Sequence, residues 1–300
     1  VTSSETKSVR AGYGYALGAY SLWGFMPLYF VALAPASSLE ILAWRIVLSL
    51  VFCVLILLAT GHLQRALAVL RDRRSALLTA AAGVLILANW GIFVYATQTG
   101  HVMDAALGYF INPLVTALLG VFILRERLRT AQWVALALGV VAVTVLVVGY
   151  GEFPWISVGL AFSFGFYGLV KKGLGQMPAL TGLTLETVWV TPLAVGLLIW
   201  IALTDGLAVT SEGAGLVMLM SLAGAVTSIP LLLFASAARR LPLATVGLLQ
   251  YLNPILQALV GIFILMEPMP IERWWGFAII VVALGVFIGD ALKTRGLTGR

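Results

Sequence analysis

Residues 108–128 read GYFINPLVTALLGVFILRERL, and residues 249–269 read LQYLNPILQALVGIFILMEPM. The second stretch repeats the first at an offset of 141 residues. Asn112–Pro113 falls on Asn253–Pro254, Ala117 on Ala258, Gly120 on Gly261, and Phe122, Ile123 and Leu124 on Phe263, Ile264 and Leu265. Glu126 falls on Glu267, and the register continues to Trp133 on Trp274 and to Val140, Val141 and Ala142 on Val281, Val282 and Ala283. Solenoid repeats recur every ~20–50 residues. A period of half the chain points instead to two homologous halves, residues 1–150 and 151–300. Fainter echoes link Trp23-Gly24 to Tyr167-Gly168, and Phe93 and Ala96 to Phe234 and Ala237.

Composition identifies the solvent of those halves. The 300 residues are 61% hydrophobic and 10% charged, with a mean hydropathy of +1.06. A soluble domain is about a quarter charged, and no water-soluble fold hides this much apolar surface. Lipid is therefore the expected partner for most of the chain. The net charge of +6 reads as membrane orientation, not as nucleic-acid binding. The single cysteine, Cys53, excludes an intramolecular disulfide and a cysteine zinc set. The stretch VTSSETKSVR is followed by an apolar run from Ala11 that is too long for a cleaved leader, and Pro35 would follow the only cleavage-like triplet, Ala32-Leu33-Ala34. The run is read as a retained first span.

Apolar runs separated by short polar breaks predict helices over 11–34, 38–60, 75–97, 102–124, 130–149, 154–173, 180–204, 214–238, 242–265 and 271–292. Each approaches the ~20 residues that cross a bilayer. Helix is the expected backbone because unpaired backbone groups in lipid cost several kcal/mol each, and the alternation of a β-barrel strand is missing. The expected fold is an all-α polytopic membrane protein of ten transmembrane helices. Lys and Arg orient it. The N-terminal tail, the breaks after the second, fourth, sixth and eighth spans, and the C-terminal tail together hold sixteen of the 18. Arg273 alone lies on the other side, and Arg45 lies inside the second span. By the positive-inside rule both termini are cytoplasmic. Five helices per half then reverse the second half. The two copies of the opening stretch run antiparallel, with Glu126 between Arg125 and Arg127 inside, and Glu267 between Met266 and Pro268 outside. Inverted repeats of this kind are common in secondary transporters.

The chain resembles the RarD branch of the EamA-type permeases, within the drug/metabolite transporter superfamily. The segments that carry the resemblance are YSLWGFMPLYF (20–30), ANWGIFVYA (88–96), ALGYFINPLV (106–115), GLAFSFGFYGLVKK (159–172), LETVWVTPL (185–193) and PLLLFASAARRLPLATVGLLQYLNP (230–254). The resemblance covers essentially the whole chain in order. It implies an inner-membrane permease built from two inverted five-helix repeats, in a family whose name is tied to chloramphenicol. It also implies a glycine before the proline of the ninth helix, where Asn253 stands here.

Three sets of residues are candidates for transport. The first is the intramembrane charges Arg45 and Glu186, each about two turns from a span end. An ionisable group at the bilayer centre costs ~2.5–3.5 kcal/mol on insertion scales, which makes gating or coupling the default hypothesis. The alternatives are that Arg45 snorkels to headgroups and that Glu186 pairs near the inner face. The two point to opposite faces, so no direct ion pair between them is expected. The second set is Asn112–Pro113 and Asn253–Pro254, read as helix breaks beside a cavity lined by Tyr109, Gln250 and Tyr251, or else as packed kinks. The third is Trp23, Asn89, Trp90, Tyr95, Tyr167 and Trp189. The mid-span tryptophans Trp23, Trp90 and Trp189 are not explained by an interfacial belt, and either stack on a planar solute or pack between helices. Gly14 and Gly18 form a small-xxx-small pair expected at a helix contact.

These readings predict a secondary transporter, not ATP-driven, that moves a small metabolite or drug-like organic solute by alternating access, with a proton as candidate coupling ion. No cofactor and no metal are expected, since the sequence has no phosphate-binding loop, nucleophile elbow or metal-ligand spacing. The protein is accordingly not expected to be an enzyme. A membrane-embedded enzyme would need a carboxylate or histidine cluster at one face. A non-transporting membrane partner protein would lack a solute-sized polar cavity.

Overall fold

The structure is a computed structural model and describes residues 3–125, 130–150, 153–175, 177–238, 240–241 and 249–298. Glu126 and residues 242–248, which the repeat and the ninth span invoke, lie outside the described residues. Among those described, the regular elements are all helical. In chain order they are α1 (Ser3–Ala32), α2 (Ser38–Ala59), the short α3 (Leu63–Ala68), α4 (Arg73–Gln98), α5 (Val102–Leu124), α6 (Thr130–Tyr150), α7 (Trp155–Gly173) and α8 (Ala179–Thr204). Then follow the four-residue α9 (Ala208–Ser211), α10 (Ala214–Ser221), α11 (Ala223–Ala238), α12 (Leu252–Leu259, continued by a π-helical turn Val260–Ile264) and α13 (Ile271–Thr298).

Ser38–Ala59, Arg73–Gln98, Val102–Ile123, Ala179–Thr204 and Ala214–Ala237 are each long and apolar enough to cross a membrane. Outward-facing Leu55, Leu77, Val140, Val148, Leu193 and Leu203 are each more than half exposed. So much large apolar surface on so many helices suits hydrocarbon and not water. The chain is an all-α, multi-pass membrane protein.

Helix limits depart from the hydropathy reading where polarity and helicity part company. α1 begins at Ser3 and α13 runs to Thr298, because a helix once nucleated propagates into polar residues at little further cost. The apolar run 214–238 is divided at Leu222 into α10 and α11. α5 passes unbroken through Pro113, whereas Pro254 stands in the first turn of α12, where a missing N–H does no harm. The same Asn-Pro pair therefore sits in two different backbone settings, and Pro113 does not break its helix.

The 141-residue offset reappears in the fold. The starts of α2 and α8, of α4 and α10, and of α6 and α13 are each separated by it. So are the two non-glycine residues with left-handed backbone among those described, Arg125 (φ 56°) and Met266 (φ 52°), which turn the chain at the ends of α5 and of the α12 π-turn. A left-handed non-glycine residue costs roughly 1–2 kcal/mol, so its recurrence at matched positions marks a shared local fold. Helix packing follows the same offset. α2 packs on α8, α5 on α12, and α6 on α13; the pairs α1–α11 and α7–α4 correspond, as do α1–α12 with α7–α5 and α2–α11 with α8–α4.

Two of these contacts are made backbone to backbone. A Cβ on Gly83 of α4 would lie 2.6 Å from the Glu186 carbonyl oxygen of α8, and one on Gly224 of α11 would collide with the Leu48 carbonyl of α2. Gly83 and Gly224 are again 141 apart. Small residues let helices approach closely where lipid gives no hydrophobic drive between them. Gly14 and Gly18 do not play this part: nothing lies within 4 Å of a Cβ at Gly14, and Gly18 meets only the end of Leu233 at 3.5 Å.

Candidate functional site: two buried charges at equivalent positions

Arg45 lies two turns into α2, a helix started by Ser37, whose hydroxyl accepts the Glu40 amide at 3.2 Å. Its guanidinium is buried among α1, α4 and α11. Nε donates to Thr227 Oγ1 at 2.9 Å, and Nη2 stands 4.0 Å from Met26 Sδ. The Trp90 ring centroid lies 4.2 Å from Cζ and the Phe30 centroid 5.1 Å, two cation–π contacts. Nη1 is buried without a hydrogen-bond partner. A snorkelling arginine would show its tip; this one is 3% exposed.

Glu186 occupies the same place in α8, and Arg45 and Glu186 are separated by the repeat offset of 141. Its Oε1 accepts from Lys171 Nζ at 2.6 Å and its Oε2 from the Tyr167 hydroxyl at 3.0 Å. Tyr167 and Lys171 are one turn apart on α7, so a single face offers both donors. The carboxylate is fully buried, while the Lys171 side chain stays 30% exposed. The ammonium can thus reach water at the end of α7 while holding a charge that cannot.

The structure therefore joins Arg45 to Trp90, and Glu186 to Tyr167, all four of them sequence candidates. Arg45 and Glu186 do not meet as an ion pair. Asn89 ties α4 to α7, its Nδ2 donating to Leu160 O at 3.2 Å and Ser163 Oγ at 3.0 Å. Trp23 packs against Tyr20 and Phe234, and Tyr109 stands edge-on to Phe93 and Phe164. Asn112 is buried with Oδ1 unpartnered. Gln250 and Tyr251 are half-buried at the turn before α12, and Gln250 O accepts the Asn253 amide at 3.1 Å. Tyr95 is exposed and packs on Trp155; Trp189 is exposed and donates through Nε1 to Thr79 at 3.1 Å.

Several side chains with buried polar or ring contacts were not among the sequence candidates for transport. Lys171 entered only as a cytoplasmic charge, although its spacing from Tyr167 was a signal. Thr227, Met26 and Phe30 gave none. Gln257 reaches Asn253 Oδ1 at 2.9 Å and the Trp23 carbonyl at 3.4 Å, and its own Oε1 is unpartnered. Glu267, beyond Met266, turns back to accept the amides of Val102 at 2.7 Å and Met103 at 2.9 Å. It caps α5 from 165 residues away, since His101 makes no side-chain cap there. Among the described residues no group of three or more His, Cys, Asp or Glu is placed to hold a metal ion.

Comparison with known proteins places a chain with these buried charges in the class of membrane transport proteins. Residues 10–148 match the EamA-like transporter family. The chain is 45% identical to Protein RarD of Streptomyces exfoliatus, over 95% of this chain and 90% of that one. It is 37% identical to Protein RarD of Escherichia coli K12, over 99% and 100%. An uncharacterized transporter of Vibrio cholerae is 39% identical, over 96% and 95%. One solved crystal structure superposes with a TM-score of 0.60, covering 93% of this chain and 96% of its own, at 18% identity, which speaks to fold alone. The chain belongs to the EamA-like transporter family, as a RarD-type permease of the drug/metabolite transporter superfamily.

Proposed function

We propose that the protein is a secondary transporter that carries a small organic solute across the inner membrane by alternating access, with both termini cytoplasmic. Ten spans form two five-helix halves of opposite orientation, and the solute path lies between them. The observation that carries this reading is the exchange of helix contacts when the halves are exchanged. A pair of halves packed in this way can rock, and each rocked state is the mirror in function of the other. The family match over residues 10–148 ends at the seam between the proposed halves, which supports the five-helix unit. The sixteen-to-one distribution of Lys and Arg supports the orientation. Arg45 and Glu186, at matched positions and of opposite sign, are the proposed gating or coupling charges. The remaining sequence candidates about them line or shape the path.

The test is reconstitution of the full chain into liposomes, followed by flux of a solute panel with and without an imposed pH gradient. Saturable counterflow of at least one organic solute is expected. A gradient-dependent rate would identify proton coupling. Absence of flux for every solute under both conditions, from protein that is folded by its melting behaviour, rejects the transporter reading.

A further inference from the structure

Among the described residues Arg45 has no counter-ion. A guanidinium carries five N–H donors. Here Nε is taken by Thr227, Nη2 lies at 4.0 Å from a thioether, and Nη1 meets nothing. The buried acidic side chains Glu40, Glu186 and Glu267 are committed elsewhere. Glu40 accepts the amides of Ala208 and Val209, Glu186 is held by Lys171 and Tyr167, and Glu267 caps α5. The ion pair Lys171–Glu186 does not include Arg45.

Two nearby side chains of α2 also lack hydrogen-bond partners. Ser49 follows Arg45 by one helical turn, on the same face, and its hydroxyl is buried without a partner. Trp44 Nε1 is buried and unpartnered as well. Three groups able to donate thus stand within six residues with nothing to donate to. Buried polar groups are ordinarily paired, and a buried ion left alone is destabilising. Two aromatic faces shield the cation but supply no acceptor. What is missing is a set of acceptor oxygens carrying negative charge.

We infer that the transported solute is an organic oxyanion, and that its charged head binds Arg45 Nη1 with Ser49 beside it. This rests on the transporter reading above, for which it names the substrate class. A permanent carboxylate partner in the protein would neutralise Arg45 and hold it shut. A vacant guanidinium accepts the head of the solute during passage and loses it on release. The Phe30 and Trp90 rings, already against the guanidinium, fix the direction from which the head approaches.

The experiment uses the full-length protein in lipid nanodiscs and four probes on one benzyl skeleton: phenylacetate, benzylphosphonate, neutral phenylacetamide and cationic phenethylamine. Binding is read from the tryptophan fluorescence, to which Trp90 contributes at 4.2 Å from the guanidinium carbon, and from the melting temperature. One or both anions are expected to bind saturably, with the amide and the amine at least roughly tenfold weaker, the scale of a lost charge-assisted hydrogen bond. Which anion binds separates a carboxylate from a phosphate-like head. Arg45→Gln is expected to weaken the anion by roughly tenfold to a hundredfold, and Arg45→Lys to keep the anion preference with weaker binding. If Arg45→Gln does not fold, Arg45→Lys still carries the comparison. Equal binding of the amide or amine, undiminished anion binding by Arg45→Gln, or no binding of either anion overturns the inference. Flux of a neutral or cationic solute unaffected at Arg45 would sink it while leaving the transporter reading intact. Arg45-dependent anion binding without any flux would do the reverse.

Discussion

Replacing Lys171 should harm the protein far more than replacing Glu186, although each substitution removes the same ion pair. Lys171→Met strands a fully buried carboxylate with only the Tyr167 hydrogen bond at 3.0 Å. Removing one partner of a buried pair costs about 3–5 kcal/mol. The low end, ~3 kcal/mol, applies here because the Lys171 side chain is 30% exposed and its departure admits water. Glu186→Gln instead leaves an ammonium that extends to water at the end of α7, and the glutamine oxygen still accepts a hydrogen bond. Its cost should stay within ~1 kcal/mol. For large domains 1 kcal/mol moves the melting temperature by about 2–4 °C. Lys171→Met should then melt ~6–12 °C below the parent, Glu186→Gln less than ~4 °C below, and the double variant close to Glu186→Gln alone. The measurement is a thermal melt of the three variants in one detergent, followed by size-exclusion recovery of folded protein. Equal losses in the two single variants, or a double variant as unstable as Lys171→Met, would refute the idea that Glu186 is the group that depends on the pair.

Gly224→Val should force α11 away from α2, because the colliding atoms belong to the Leu48 backbone and no rotamer relieves them; a loss of ~1–3 kcal/mol is expected, against a small effect for Gly18→Ala, and a melt compares the two. Glu267→Gln keeps one acceptor oxygen for two amides, so one of Val102 and Met103 loses its partner at ~1–3 kcal/mol, and hydrogen exchange at the start of α5 should accelerate while that of α2 does not. Asp72 precedes α4 outside the spans and accepts the Ser75 amide at 2.9 Å; hydrogen bonding by Ser75 holds its carboxyl below the usual value. A lowered folded-state pKa means that the cap contributes fully above the unfolded value of about 4 and fades as pH falls through the folded one. Melts of the parent and Asp72→Ala should therefore differ at neutral pH and converge in acid, and a constant difference across that range would contradict the assignment.

Most of the helices were legible in the sequence because lipid leaves the backbone little choice. A run of ~20 apolar residues must close its own hydrogen bonds, so hydropathy located most helix starts to within two residues of where they stand. The limits failed at Ser3, Thr298 and Leu222, and at the turn of Gln250 and Tyr251 that interrupts the expected helix 242–265, where helicity depends on local backbone energetics that hydropathy does not register. The 141-residue repeat was legible in Asn112–Pro113 and Asn253–Pro254. Arithmetic would also have matched Arg45 to Glu186 and Gly83 to Gly224, had single residues and not motifs been aligned.

Partnership is another matter. That Glu186 belongs to Lys171 and Tyr167, that Glu267 caps α5, and that Arg45 is caged by Phe30, Trp90 and Thr227 depends on contacts between helices that approach only after the chain has folded. Side-chain partners are chosen by helix rotation and separation, to which a hydropathy pattern is indifferent. The repeated Asn-Pro shows the division most plainly. One sequence motif announced two equivalent helices, but packing ran α5 straight through Pro113 and made Pro254 part of a helix start. The sequence repeat matched residues 141 apart; the neighbours each one meets in the folded chain decided its contacts.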